Sequence, residues 1–121
     1  MRPHDARKQI EEMLRLIGEI EDFLKGVSFD EFEHKRSINY SVLYALLIIG
    51  ETVKKIPLSF RATHSNIPWK EIAGMRDVLV HDYLETDLEI VWKTVQESLP
   101  VLKNDLSRIL NEQIDVPRDK E

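Results

Sequence analysis

The stretch IEEMLRLIGEIEDFL, Ile10–Leu24, decides the fold class. Its apolar residues Ile10, Met13, Leu14, Ile17, Ile20 and Leu24 recur at steps of three and four. That spacing places side chains on one stripe of a 3.6-residue helix and on no single face of a strand. It predicts a helix from about Pro3 to Lys25, stopped by Gly26, a residue able to take the left-handed backbone at a helix end.

Working outward, the same signals repeat. In SFDE, Ser28 followed three residues later by Glu31 reads as a capping box opening a short helical turn. A long helix is expected from about Lys35 to Lys55 and cannot pass Pro57, which lacks an N–H and disfavours helix before it. PLSFRATHSN reads as a connecting segment. SNIPWKEIAGMRDVLVHDYL restarts a helix, with Ser65 or Asn66 as cap and Pro68 near the first turn, where its missing donor costs least. A last amphipathic stretch runs from about Asp87 to about Glu112, kinked near Pro100, and residues 113–121 are expected to fray. No segment alternates with period two between hairpin turns. The reading is one all-α domain over residues 1–121, an antiparallel bundle of about four to five helices.

The chain has 121 residues, enough for one modest core. With 42% hydrophobic and 32% charged residues it is too apolar to stay disordered. Cysteine is absent, which excludes a disulfide framework and thiolate metal sites and agrees with a reducing, cytoplasmic setting. MRPHDARKQIEEM has no apolar segment of a secretory signal. The longest apolar run, VLYALLII at Val42–Ile49, is far short of the roughly 20 residues that span a bilayer, so no membrane partner is expected. A formal charge of −5 argues against coating nucleic acid by bulk electrostatics, so any such contact must be local. No phosphate loop, dinucleotide fingerprint or nucleophile elbow occurs. His4, His34 and His64 lie 30 residues apart with no i+4 partner, so no helical histidine pair offers a metal site, and no cofactor is expected.

MRDVLVHDY, Met75–Tyr83, is the stretch that raises a question of chemistry. Arg76 and Tyr83 fall within about 20° on an ideal helix, whereas His81 lies about 140° from Arg76. A curled arginine, a helix end near Tyr83, or a second copy across a two-fold axis would each bring the groups together. By spacing alone an arginine and a histidine on a bundle helix are solvated or structural far more often than catalytic, and a tyrosine there is more often a core ring with its hydroxyl at the edge. Trp69 and Trp92 are core or dimer anchors. HKR, His34–Arg36, is the densest basic cluster, either a solvated helix start or a contact for an RNA backbone.

LLIIGETVKKIP, IPWKEIAGMRDVLVHDY and VWKTVQESLPVL, in this order and at similar spacing, resemble the HepT-like branch of the HEPN superfamily over roughly residues 5–112. Arg76, Asp77 and His81 fill the superfamily's motif, and Tyr83 completes the R-x-x-x-x-H-x-Y form of the branch. The resemblance implies a homodimer with both motifs facing one cleft and a metal-independent ribonuclease acting on RNA as a toxin. It also implies an MntA-like nucleotidyltransferase antitoxin that silences the toxin by transferring AMP to Tyr83.

The residue types suit that chemistry. Histidine titrates near neutrality and serves as base or acid, and arginine's planar fork holds phosphate oxygens. Asp77 would orient the histidine or the arginine, or be solvated. Glu51, after Gly50, is either a surface charge paired with Lys54 or Lys55 or a member of the cleft, since Gly-Glu recurs there in similar sequences. The alternative reading is a catalytically silent helical dimer that docks a nucleotidyltransferase or a nucleotide.

Overall fold

A computed structural model describes residues 3–81 and 86–114, which form helices α1 (Pro3–Leu24), α2 (Phe29–His34), α3 (Arg36–Lys54), α4 (Leu58–Thr63), α5 (Trp69–His81), α6 (Leu88–Lys93) and α7 (Leu99–Ile114). No strand occurs among the described residues.

The stripe that predicts α1 is the stripe it buries: Ile10, Met13, Ile17 and Ile20 are fully enclosed. Gly26 ends α1 at φ +73°, the left-handed conformation a side chain would resist. The Ser28 hydroxyl accepts from the Glu31 amide at 3.2 Å, so α2 starts as the capping pattern predicts. Buried Asn39 donates its side-chain amide to the carbonyls of Phe32 at 3.0 Å and Glu33 at 3.3 Å. It thereby gives two carbonyls at the end of α2 the partners that burial would otherwise deny them.

α3 is the central element, packed against α1 on one side and α5 on the other, with α7 closing over α1. Val42, Leu46, Ile49 and Val53 of α3 meet the α1 stripe and Leu106 and Ile109 of α7 in one core. Truncating a fully enclosed residue such as Leu106 to alanine would cost about 2–5 kcal/mol. Trp69 and Trp92 are core anchors. The Trp69 indole donates to the His64 carbonyl at 2.9 Å. Trp92 stacks on Phe32 and Phe29, with centroids 5.3 and 5.7 Å away, tying α6 to α2.

Three expectations are corrected. The segment after Pro57 is not merely a connector, because α4 forms within it. Arg61 of that helix donates to the carbonyls of Val53 at 2.7 Å and Ile56 at 3.0 Å, tying α4 to the end of α3. α5 begins at Trp69, so the residue at its boundary is Pro68 and neither Ser65 nor Asn66. The break near Pro100 is a π turn one turn earlier, Thr94–Ser98, where the Leu99 amide reaches back five residues to Thr94. Proline offers no N–H to the carbonyl four residues back and crowds it, and a wider turn relieves that crowding. The final helix runs on to Ile114, and residues 115–121, most of the segment expected to fray, lie outside the described residues.

α5 rests closely on α3 but stands away from α6 and α7. The groove between them comprises adjoining spaces of about 490 and 460 Å³ that share Leu46, Met75 and Thr94. No helix among the described residues is long and apolar enough to cross a membrane.

Candidate active site

The site is set by one glycine. A Cβ on Gly50 would lie 2.8 Å from the Arg76 Cβ, 3.0 Å from the Ile72 carbonyl oxygen and 3.2 Å from the Arg76 amide. Real side chains do not come so close, so α3 and α5 meet backbone to backbone only because position 50 has no side chain. Arg76 leaves α5 at that crossing and lies against the next residue of α3, Glu51, whose carboxylate pairs with its Nε. The glycine thus brings the helices together, and the glutamate after it receives the arginine.

A second carboxylate holds the other edge. Arg76 Nη1 donates to Asp77 Oδ1 at 3.1 Å, and Lys54 Nζ donates to the same oxygen at 3.2 Å. Two carboxylates and two cations therefore form one network across the α3–α5 seam, partly open to solvent. The hydrogen bond from Arg76, then that from Lys54, holds the Asp77 carboxyl below the usual aspartate range. Asp77, then Glu51, raises the arginine further above its already high value. Arg76 is therefore a fixed positive charge, and its Nη2 end is used by neither carboxylate contact.

Of the residues singled out in the sequence, Arg76, Asp77 and Glu51 come together. Asp77 accepts from both Arg76 and Lys54, and Glu51 pairs with Arg76 instead of Lys54 or Lys55. His81 is the last residue of α5, and its side chain lies outside the described residues, as does the whole of Tyr83. Lys54 is the member the sequence did not single out as a site residue. The only signal for it is position, three residues after Glu51 on the exposed side of α3.

The remaining histidines stand elsewhere. His34 is exposed and its Nδ1 lies 2.9 Å from the Asp30 carbonyl, which with the Asp30 charge raises its pKa. His64 stacks on Phe60 at 4.6 Å, and the side chain of His4 lies outside the described residues. HKR lies at the exposed junction of α2 and α3, where Lys35 pairs with Glu31 at 3.5 Å.

A family model described as ribonuclease HepT-like matches residues 13–109. A protein of Thermococcus cleftensis named "Probable ribonuclease HepT" is 39% identical over 100 residues, covering 83% of this chain and 91% of that one. A protein of Caldanaerobacter subterraneus subsp. tengcongensis, named as a candidate RNase, is 37% identical over 107 residues, 88% of this chain and 96% of its own. Another of Methanocaldococcus jannaschii, similarly named, is 36% identical over 112 residues, 93% of each chain. No solved structure is a significant match.

Proposed function

The chain belongs to the ribonuclease HepT-like family, and from that premise we propose that it is a metal-independent endoribonuclease whose reaction centres on Arg76 and His81. The observation that carries the reading is the network around Arg76. A guanidinium gripped on two edges by Glu51 and Asp77 is oriented before substrate arrives, which is what stabilisation of a developing charge requires.

In the proposed reaction a histidine takes the proton of a ribose 2′-OH, and the oxygen forms a bond to the adjacent phosphorus. The bond from phosphorus to the 5′-oxygen breaks, and that oxygen receives a proton from a second acid. The products are a 2′,3′-cyclic phosphate and a 5′-hydroxyl. His81 and its mate in a homodimer supply base and acid, each form being accessible near neutral pH. Arg76 holds the phosphate oxygens, while Glu51 and Asp77 act as positioning residues for it and Lys54 steadies Asp77.

Membership of the family also supports the regulatory reading: a toxin whose neighbouring MntA-like nucleotidyltransferase transfers AMP to Tyr83. A phosphodiester at that position would compete for the donors of Arg76. Tyr83→Phe is then expected to escape silencing and to keep cleaving RNA, and mass spectrometry after coexpression reads AMP on the peptide holding Tyr83.

The test of the catalytic assignment is incubation of the purified chain with RNA. Arg76→Ala and His81→Ala should each abolish cleavage while circular dichroism stays that of the wild type. Cleavage that survives both substitutions would refute it.

A further inference from the structure

The chain is acidic overall, but the segment from Lys35 to Lys55 is not. It holds Lys35, Arg36, Lys54 and Lys55 against the single carboxylate of Glu51, within a chain of formal charge −5. Glu51 is itself paired with Arg76. The cations stand at the two ends of α3, Lys35 paired with Glu31 and Lys54 with Asp77, and two aromatic rings lie between them on its outer face. Tyr40 is 40% and Tyr44 66% exposed, high values for rings of this size.

Helical geometry aligns these rings with the site. Tyr44 precedes Glu51 by seven residues and Tyr40 by eleven, so both fall within about 20° of Glu51 around the helix, at about 10 and 16 Å along it. Beside Tyr44 an open cleft of about 320 Å³ runs between α3 and α1, lined by Leu16, Phe23, Ala45 and Ile48. The carboxylate of Glu19 at its α1 side is engaged by Arg15.

A row of rings flanked by cations and continuous with an arginine that holds phosphate is what unstacked nucleic acid requires. Its bases present flat faces to aromatic rings, and its phosphates meet the cations. Duplex RNA keeps its bases stacked on each other and could not use the rings.

Resting on the ribonuclease reading, we propose that the outer face of α3 binds single-stranded RNA leading away from Arg76, with Tyr44 and Tyr40 stacking on successive bases and Arg36 contacting the backbone at the far end. Tyr44, the more exposed ring and the nearer to the site, carries the larger share. The face acts on substrate binding and not on proton transfer.

The test uses the full chain and a fluorescein-labelled 2′-O-methyl RNA decamer, which lacks the attacking hydroxyl and so reports binding apart from cleavage. Anisotropy should show wild type binding the single strand in preference to its duplex. Tyr44→Ala should bind roughly five- to 100-fold more weakly, and Tyr44→Trp should retain affinity. Arg36→Ala should lower the salt slope by about one. On cleavable RNA, Tyr44→Ala should raise KM and leave kcat largely unchanged. Unchanged affinity of Tyr44→Ala, or no binding of the decamer by a wild type that still cleaves RNA, would overturn the α3 face while sparing the ribonuclease reading. Loss of the dimer by light scattering in Tyr44→Ala would overturn it too, showing that a second copy covers this face. Binding as proposed without any cleavage would sink the ribonuclease reading and keep the face.

Discussion

The two flanks of α5 are opposites. Against α3 it packs so closely that a single methyl group at Gly50 would collide with the Arg76 Cβ at 2.8 Å. Toward α6 and α7 it borders an open apolar groove floored by Leu46 and Ile49. The tight flank carries the charged network and the loose one carries none of it. A helix that must present a charged group accurately needs one rigid neighbour, and here that neighbour supplies both the close approach, through Gly50, and the counter-charge, through Glu51. Among the described residues the other flank makes no polar contact with Arg76.

Substitutions can break this contrast, and the largest effect is expected at the arginine. Arg76→Lys keeps the charge but loses the planar fork, since an ammonium cannot meet Glu51 and Asp77 on two edges at once. Initial cleavage rates should fall by roughly 10²–10³-fold, the scale seen when one oriented donor is removed from a developing anion. A lysine variant close to wild type would mean that charge alone matters and that the seam is only scaffold.

The next effect sharpens the contrast with one chemical change made twice. Gly50→Ala should lower stability to urea by about 1–3 kcal/mol, because its Cβ meets backbone and the base of Arg76, neither able to move far. It should also slow cleavage by displacing the arginine. Gly74→Ala, on the exposed side of the same α5, meets nothing within 4 Å. It should raise stability by about 0.4–1 kcal/mol through the unfolded chain. Equal effects at the two positions would show that the crossing with α3 is no tighter than the exposed side of α5.

The smallest effect concerns acid. Because Arg76 and then Lys54 depress the Asp77 pKa below the ordinary value of 3.8, the carboxylate's contribution to stability is complete above that value. It is lost as pH falls through the lower, folded-state value. Asp77→Asn should therefore lower stability at neutrality and flatten the acid limb of a stability-versus-pH curve, so that the difference from wild type closes below about pH 4. Asp77 is exposed, so the change should be modest. An unaltered acid limb would show that the network does not hold Asp77.

Much of this was legible in the sequence, for physical reasons that differ by element. α1 announces itself because its burial is one-sided and its stripe has a single period. Gly50 and Glu51 stand out as a pair because small residues and the first charge after an apolar run have few other uses. The link from Lys54 to Asp77 spans 23 residues and depends on where α3 crosses α5, which no local pattern encodes. α4 escaped because a six-residue helix beside a proline lacks a full apolar period. The π turn escaped because the sequence marks the proline and not the turn that accommodates it. The 140° separation of Arg76 and His81, by contrast, is legible from spacing alone, but a curled arginine, a helix end or a second copy would each answer it, and the second copy in the proposed reaction comes from the family resemblance.

The most direct measurement is RNA cleavage by wild-type chain stripped of metal and assayed in EDTA, with the product ends read by mass spectrometry. The expected result is undiminished cleavage leaving 2′,3′-cyclic phosphates and 5′-hydroxyls. Cleavage that requires added Mg²⁺, or that leaves 3′-hydroxyl and 5′-phosphate ends, would contradict a reaction carried by Arg76 and His81.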